Sequence, residues 1–231
     1  MKFAGNLLFS FCIFLSACKK NDTVIVQFHI TQTKHTPNNR SYDLDLSKLK
    51  ILFSNFTLID VNGKSRVVKD IFLYGNGNNN FSFKMPKGNY TAFTFALGVD
   101  AATNNLMPAS FPPSHPLSVE NGLYWDMLKY RFIVAEGNID DSALKNEIPD
   151  APFSMHLGSD TLYTIINASA IPYDGTSVFI NLNLDKLFVL DSDPFQITNF
   201  SNHSEASEIA KGIAIKDSFV DGITTSVVLP E

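Results

Sequence analysis

Residues 51–74 read ILFSNFTLIDVNGKSRVVKDIFLY, and this segment decides the fold. Each half is dense in β-branched and aromatic residues, which suit a pleated, half-buried strand. Between the halves lies Val61-Asn62-Gly63-Lys64. Asn-Gly readily takes the positive φ of a tight hairpin turn. The reading is a strand region over 46–60, a turn, and a returning strand over 66–74.

The same pattern extends outward. Residues 75–80 (GNGNNN) form a flexible loop. Phe81 and Phe83 alternate with polar residues, Met85-Pro86-Lys87-Gly88 turns, and 90–99 is the next strand. Turns recurring roughly every ten residues mark a β-meander. Upstream, Val24, Val26, Phe28 and Ile30 share one strand face. His29 falls on the opposite, polar face, where it is a surface histidine or an additional metal ligand. Downstream, 153–157 and 162–167 read as strands, and Val178, Ile180, Leu182 and Leu184 alternate cleanly. Asp185-Lys186-Leu187-Phe188 closes the sheet region, and 138–148 reads as a hairpin excursion. The tail differs: Ser204, Ser207-Glu208, Ile209 and Ala210 predict a short helix just after His203. The expectation is an all-β chain, one antiparallel β-sandwich over 24–231, with helix confined to short pieces near the C-terminus.

The chain has 231 residues, 20 of them phenylalanine, so it can bury a large core. Its formal net charge of −5 argues against a general affinity for nucleic acid. Residues 1–17 read as a signal peptide, with Lys2 at its basic start and a short apolar run over 7–15. Leu15-Ser16-Ala17-Cys18 reads as a lipobox, whose Cys18 thiol takes the lipid, with palmitate-type acyl chains. Residues 18–23 form a polar tether. Cys12 leaves with the signal, so Cys18 is the one cysteine of the mature chain and no internal disulfide forms. The expected location is the outer membrane, with the lipid as anchor and the protein facing the periplasm or the cell surface.

Residues 100–116 make a long strand-free segment with four prolines. Asp100 and Asn104 supply oxygens there, for a calcium ion or for a helix cap. His115 reads as exposed. Residues 121–137, NGLYWDMLKYRFIVAEG, hold the sole tryptophan, Trp125, either a core plug or part of a site. Met127 beside it is a soft ligand for Cu(I) or a core thioether.

This last stretch carries a resemblance. Gly-Leu-Tyr-Trp, then Lys-Tyr-Arg-Phe, then Glu-Gly resembles the GMYW, GYKF and EG signature of the MbnP-like family. Three more segments agree in order: Ser54-Asn55-Phe56-Thr57-Leu58-Ile59-Asp60, Gly98-Val99-Asp100 with Asn104, and Phe153-Ser154-Met155-His156-Leu157-Gly158. The chain departs at Met127 and Lys129, where the pattern has a tryptophan and a glycine. The resemblance implies a bacterial copper-binding protein with a di-haem cytochrome c peroxidase-like partner. It implies copper held by histidines and by a kynurenine derived from tryptophan. Matched residue by residue, those positions are Trp125, His156 and His203. Unmodified indole offers only a donor N–H, so the implied site depends on oxidation of the tryptophan.

No Gly-x-Ser-x-Gly, His-Glu-x-x-His, Cys-x-x-Cys or P-loop pattern is present, so the sequence supplies no argument for an enzyme. The alternative to a copper protein is a metal-free cell-surface binding module or structural lipoprotein. Its site would be the 100–116 loop with Tyr124 and Trp125 as an aromatic platform.

Overall fold

The structure is a computed structural model, and it describes residues 22–32, 44–139, 151–188, 201–204 and 206–229. The signal segment, Cys18, His35 and most of the 138–148 excursion lie outside the described residues.

In chain order the elements are β1 (Thr23–Thr31), β2 (Leu44–Asp60), β3 (Ser65–Tyr74), β4 (Asn80–Lys84), β5 (Tyr90–Leu97), α1 (Ala101–Asn104), β6 (Tyr124–Trp125) and β7 (Lys129–Tyr130). There follow β8 (Ile133–Ile139), β9 (Ala151–Leu157), β10 (Thr164–Asn167), β11 (Ser177–Asn183), α2 (Asp185–Phe188), β12 (Ser201–Asn202), α3 (Ile209–Asp221) and β13 (Ile223–Val228). One sheet has the order β13-β11-β1-β4; the other has β10-β5-β2-β8-β9-β12, with β3 also paired to β2. The β6–β7 hairpin stands apart from both. This is the all-β sandwich the alternation predicts.

Aromatic rings fill the space between the sheets. Phe28 of β1 stacks on Phe53 and Phe72 of the facing sheet, at centroid distances of 5.0 and 4.8 Å. Phe81 of β4 meets Phe56 edge-on at 4.8 Å. Each such ring withdrawn from water contributes about 1.5–3 kcal/mol.

Four details depart from expectation. The meander is broken, because β4 leaves it to pair with β1 in the opposite sheet. Among the described residues two pairings are parallel, β1 with β11 and β12 with β9. Period-2 alternation reports faces but carries no information on partner or direction, so neither was legible. Asp185–Phe188 is a short helix. And α3 begins at Ile209, later than predicted, and runs to Asp221.

One topological feature positions the candidate site. β5 and β8 succeed one another along the same edge of β2. Leu97 ends β5 opposite Phe53, and Ile133 begins β8 opposite Ile51. Between them Leu52 uses both its polar groups on the interruption: its N–H donates to Phe132 O at 2.8 Å, and its carbonyl accepts from Gly98 N at 2.8 Å. β9 and β10 lie beside β8 and β5, and are interrupted at the same level by residues 158–163. Two neighbouring strands thus break together, and the 98–132 excursion leaves and returns at that break. Gly98 makes the exit possible. Its φ is +81°, and a Cβ there would lie 2.2 Å from Phe132 Cδ2.

A tryptophan–histidine cluster at the shared strand break

The excursion carries Trp125 on the β6–β7 hairpin, where Tyr124 pairs with Tyr130 and Trp125 with Lys129. Lys129 sits at φ +59°. That is the left-handed conformation glycine adopts most easily, which explains why the family pattern has glycine there. The hairpin is fastened from below. Asn104 accepts from Tyr130 N at 3.0 Å and donates to Asp160 Oδ1 at 2.7 Å. The Tyr130 ring is buried, its hydroxyl donating to Leu117 O at 3.1 Å. Burial, with Tyr124 alongside, pushes that hydroxyl up to about 12.

His156 comes from β9. β12 pairs in parallel with β9, Ser201 opposite Ser154 and Asn202 opposite Met155, so His203 emerges beside His156. The three rings converge. Their centroids are 5.2 Å apart for Trp125 and His156, 5.4 Å for Trp125 and His203, and 5.2 Å for His156 and His203. Residues from three distant segments of the chain therefore form one cluster. Trp125 is 37% exposed, so it is a half-open wall and not a core plug.

His156 is 7% exposed, and protein groups occupy both of its nitrogens. Its Nε2 lies 2.7 Å from Glu136 Oε1, with Ser154 Oγ at 3.3 Å. Its Nδ1 faces Arg131 Nη1 at 3.5 Å. Burial holds the Glu136 carboxyl up, but the hydrogen bonds from His156 and Lys48 outweigh it and the net direction is down. An ionised carboxylate only accepts, so Nε2 carries the hydrogen and Nδ1 keeps the lone pair. Burial lowers the His156 pKa; Arg131 and His203 add to this, against the bond to Glu136. The imidazole is thus neutral at pH 7. Lys48 Nζ, 3.1 Å from Glu136 Oε1, completes the row.

Arg131 lies beneath the tryptophan, its guanidinium carbon 4.9 Å from the Trp125 ring centroid. It donates to Leu123 O at 3.2 Å and to Gly122 O, tying the turn before Trp125 to the histidine. Burial lowers its pKa, against Glu136. His203 is anchored through its backbone, its N–H donating to Glu208 Oε2 at 2.8 Å just before α3. Met127 is 71% exposed. With Trp125, Asp126 and His203 it lines an open depression of about 350 Å³.

Other sequence candidates lie apart from the cluster. His29 is on the four-stranded sheet, exposed, with its ring edge-on to Phe179 at 4.7 Å. Asp100 caps α1 by accepting from Thr103 N at 2.8 Å, and Asn104 gives its oxygen to Tyr130 N. The cap reading therefore describes Asp100, and Asn104 serves as a clamp on the hairpin. His115 is half-buried and stacked on Phe111 at 4.3 Å, not solvent-exposed, because its Nδ1 accepts from Leu117 N inside the proline-rich loop. Sequence reasoning missed Arg131 and Glu136. A signal existed for each: a lone arginine inside an aromatic run, and an acid two residues along the strand from Val134, the partner of His156.

Among the described residues no group of three or more His, Cys, Asp or Glu side chains is arranged to hold a metal ion.

No curated protein matches this sequence. In structure the chain is similar to MbnP from Methylosinus trichosporium, with a TM-score of 0.54 and 15% sequence identity, over 79% of this chain and 82% of that one. At that identity the likeness concerns the fold. The family model for MbnP matches residues 18–209. The chain belongs to the MbnP family.

Proposed function

We propose that this protein is a lipid-anchored copper-binding protein of the cell envelope, with its site at Trp125, His156 and His203. The observation that carries the reading is the convergence of these three rings at 5.2–5.4 Å. Donor atoms about 2 Å from one ion stand at most about 4 Å apart, a separation that imidazoles at this centroid distance reach by rotation. His156 already has the orientation expected of a ligand, with Nε2–H held by a carboxylate and the lone pair on Nδ1. Its contact with Arg131 at 3.5 Å is longer than its contact with Glu136, and it is the contact a ligand would replace.

The donor set fits copper once the tryptophan is altered. In the proposed maturation the indole C2–C3 bond of Trp125 breaks and two oxygen atoms enter, with peroxide as the oxidant reduced to water. Hydrolysis of the formamide releases formate and leaves an aryl amine and a ketone, the kynurenine. A di-haem peroxidase-like partner would deliver the oxidation. The exposed edge of Trp125 supports this, since an external enzyme has to reach it. Bound copper would supply one-electron chemistry and affinity for soft ligands; this chain's residues hold and orient, and the protein is not itself an enzyme.

A second reading, the metal-free binding module, draws on a different observation. Leu106, Met107 and Val119 are exposed on the same excursion as Trp125 and Met127, with Tyr124 Oη donating to Met107 Sδ at 3.6 Å. The two readings separate in one experiment. Protein co-expressed with a di-haem peroxidase is analysed for copper and for the mass of the Trp125 peptide. Copper retention is expected to rise with kynurenine formation and to fall at least tenfold in His203→Ala, while His29→Ala retains it. Equal retention in both variants would overturn the copper site and leave the binding module.

A further inference from the structure

Several elements meet at the end of the sandwich where β1 begins. Thr23 pairs with Lys84, Ile25 with Ser177, and Ser177 with Val228, so these residues mark one edge of the four-stranded sheet. The turn after β4 is here, and it brings the β2–β3 turn with it, since Val61 N donates to Asn89 O at 3.1 Å. Asp22, the first described residue, is fixed at the same place by Met85 N, which donates to its carbonyl at 2.6 Å.

Large apolar side chains exposed at this end include Val61, Tyr173, Val228 and Leu229, with Ile25 on the sheet face beside them. Lys64, Lys84 and Lys87 are exposed around them. The acidic groups facing the same way are Asp22, Asp60 and Asp174. Asp60 is occupied, accepting from the backbone N–H groups of Asn62 and Lys64, and Lys84 lies 4.0 Å from Asp22. A cleft of about 670 Å³ opens between the Met85-Pro86-Lys87-Gly88 turn, Tyr173 and Asp174. Aliphatic and aromatic tips on a charge-balanced end suit a lipid interface, where the tips enter the headgroup layer and the Lys64 and Lys87 side chains reach phosphate.

The chain says what covers these tips. From Cys18 to Asp22 a fully extended backbone reaches at most about 14 Å. A lipid on Cys18 therefore holds this end close to the bilayer. The cluster lies far from it. Asp60 pairs with Tyr90 at the tether end, and Lys50 pairs with Val134, the partner of His156. At about 3.3 Å per strand residue, the stretch of β2 from Asp60 back to Lys50 spans roughly 30 Å.

We infer that the tether end rests on the lipid surface through Val61, Tyr173 and Leu229, and that it holds the Trp125–His156–His203 cluster away from the membrane. The inference rests on the lipid anchor of the proposed function. It implies that a partner of the cluster approaches from the aqueous side.

Protein extracted from membranes is reconstituted into phosphatidylcholine and phosphatidylglycerol vesicles, with or without brominated acyl chains, and floated. Trp125, the one native tryptophan, reports on the cluster; Tyr173→Trp in a Trp125→Phe background reports on the tether end. Bromolipid is expected to quench the emission of the introduced indole at least twofold and to leave Trp125 unchanged. If Trp125→Phe impairs folding, Tyr173→Trp is read in the wild-type background as an added, quenchable component. Failure to float would remove the lipid anchor and the inference with it. Flotation with Trp125 quenched, or with neither reporter quenched, would overturn the orientation while leaving the anchor in place.

Discussion

Replacing Glu136 with glutamine removes one negative charge and keeps the shape. The native carboxylate accepts from His156 Nε2–H at 2.7 Å and from Lys48 Nζ at 3.1 Å. Glutamine can still accept from the imidazole, so the loss is the charge-assisted part of the bond. Such bonds are roughly twice as strong as neutral ones, which sets the cost at about 1 kcal/mol. In a chain of this size that lowers Tm by about 2–4 °C. The pH dependence has a definite sign. His156 is held below its ordinary pKa, so its contribution to stability is complete above about 6.5 and is lost as pH falls through its folded value. Glu136 is held below the usual carboxylate range, so its contribution is complete above about 4.5 and is lost below that. The bond to Glu136 raises the His156 pKa, so in Glu136→Gln that pKa falls further. The loss below 6.5 then deepens, and the Glu136 share disappears. Under the proposed function a partner that orients a ligating histidine is worth about 10–100-fold in metal affinity. Two assays decide: thermal melts between pH 4 and 8, and competition for Cu(I) against a chromogenic chelator. Unchanged copper retention, in a folded variant whose His203→Ala counterpart loses copper, would refute the orienting role of Glu136. A shallower loss below pH 6.5 would refute the assigned electrostatics.

Two further perturbations test the frame beneath the cluster. Gly98→Ala sets a Cβ against the buried Phe132 ring at a backbone with φ +81°, and should cost about 2–4 kcal/mol in urea unfolding. Lys129→Gly relieves a left-handed residue at φ +59°, and should leave stability unchanged or raise it by up to about 1 kcal/mol, whereas Lys129→Val should lower it.

The strands were legible because their residues are selected for faces. Val24, Val26 and Phe28 point into the core as their alternation predicts, and the Asn62-Gly63 turn joins β2 to β3. What stayed hidden was partnership. The parallel contact of β1 with β11 joins segments far apart in the chain, and no local pattern encodes it. The cluster was legible through motif order alone. Nothing in the periodicity of 201–204 singles out His203; the parallel addition of β12 to β9 puts it beside His156. Several signature residues proved to be architectural. Asn55 takes φ +53° where β2 changes register against β5, Asp100 caps α1, and Gly158 passes so close to Tyr130 O that a Cβ would lie 2.4 Å away. Each holds the interrupted strands in place around the excursion.

The departures from the family pattern fall on this frame in different ways. Lys129 changes the residue and keeps the conformation, so the hairpin still delivers Trp125 to the histidines. Met127 replaces a large ring at a tip that is mostly in water, where the backbone makes no demand for one. Arg131 stands where the pattern has lysine, and its effect is electrostatic as well as geometric. A planar guanidinium can lie against the indole and still donate to Leu123 O and Gly122 O, which a single ammonium cannot do at once. It also places a fixed positive charge next to His156 Nδ1, with Lys48 beyond and Glu136 as the one carboxylate in the row. Coulomb repulsion grows with the charge of an incoming ion and is strong where water is largely excluded. Under the proposed function a cation on Nδ1 would meet this repulsion, and the carboxylates of Asp126 and Glu208 on the His203 side of the cluster would offset part of it.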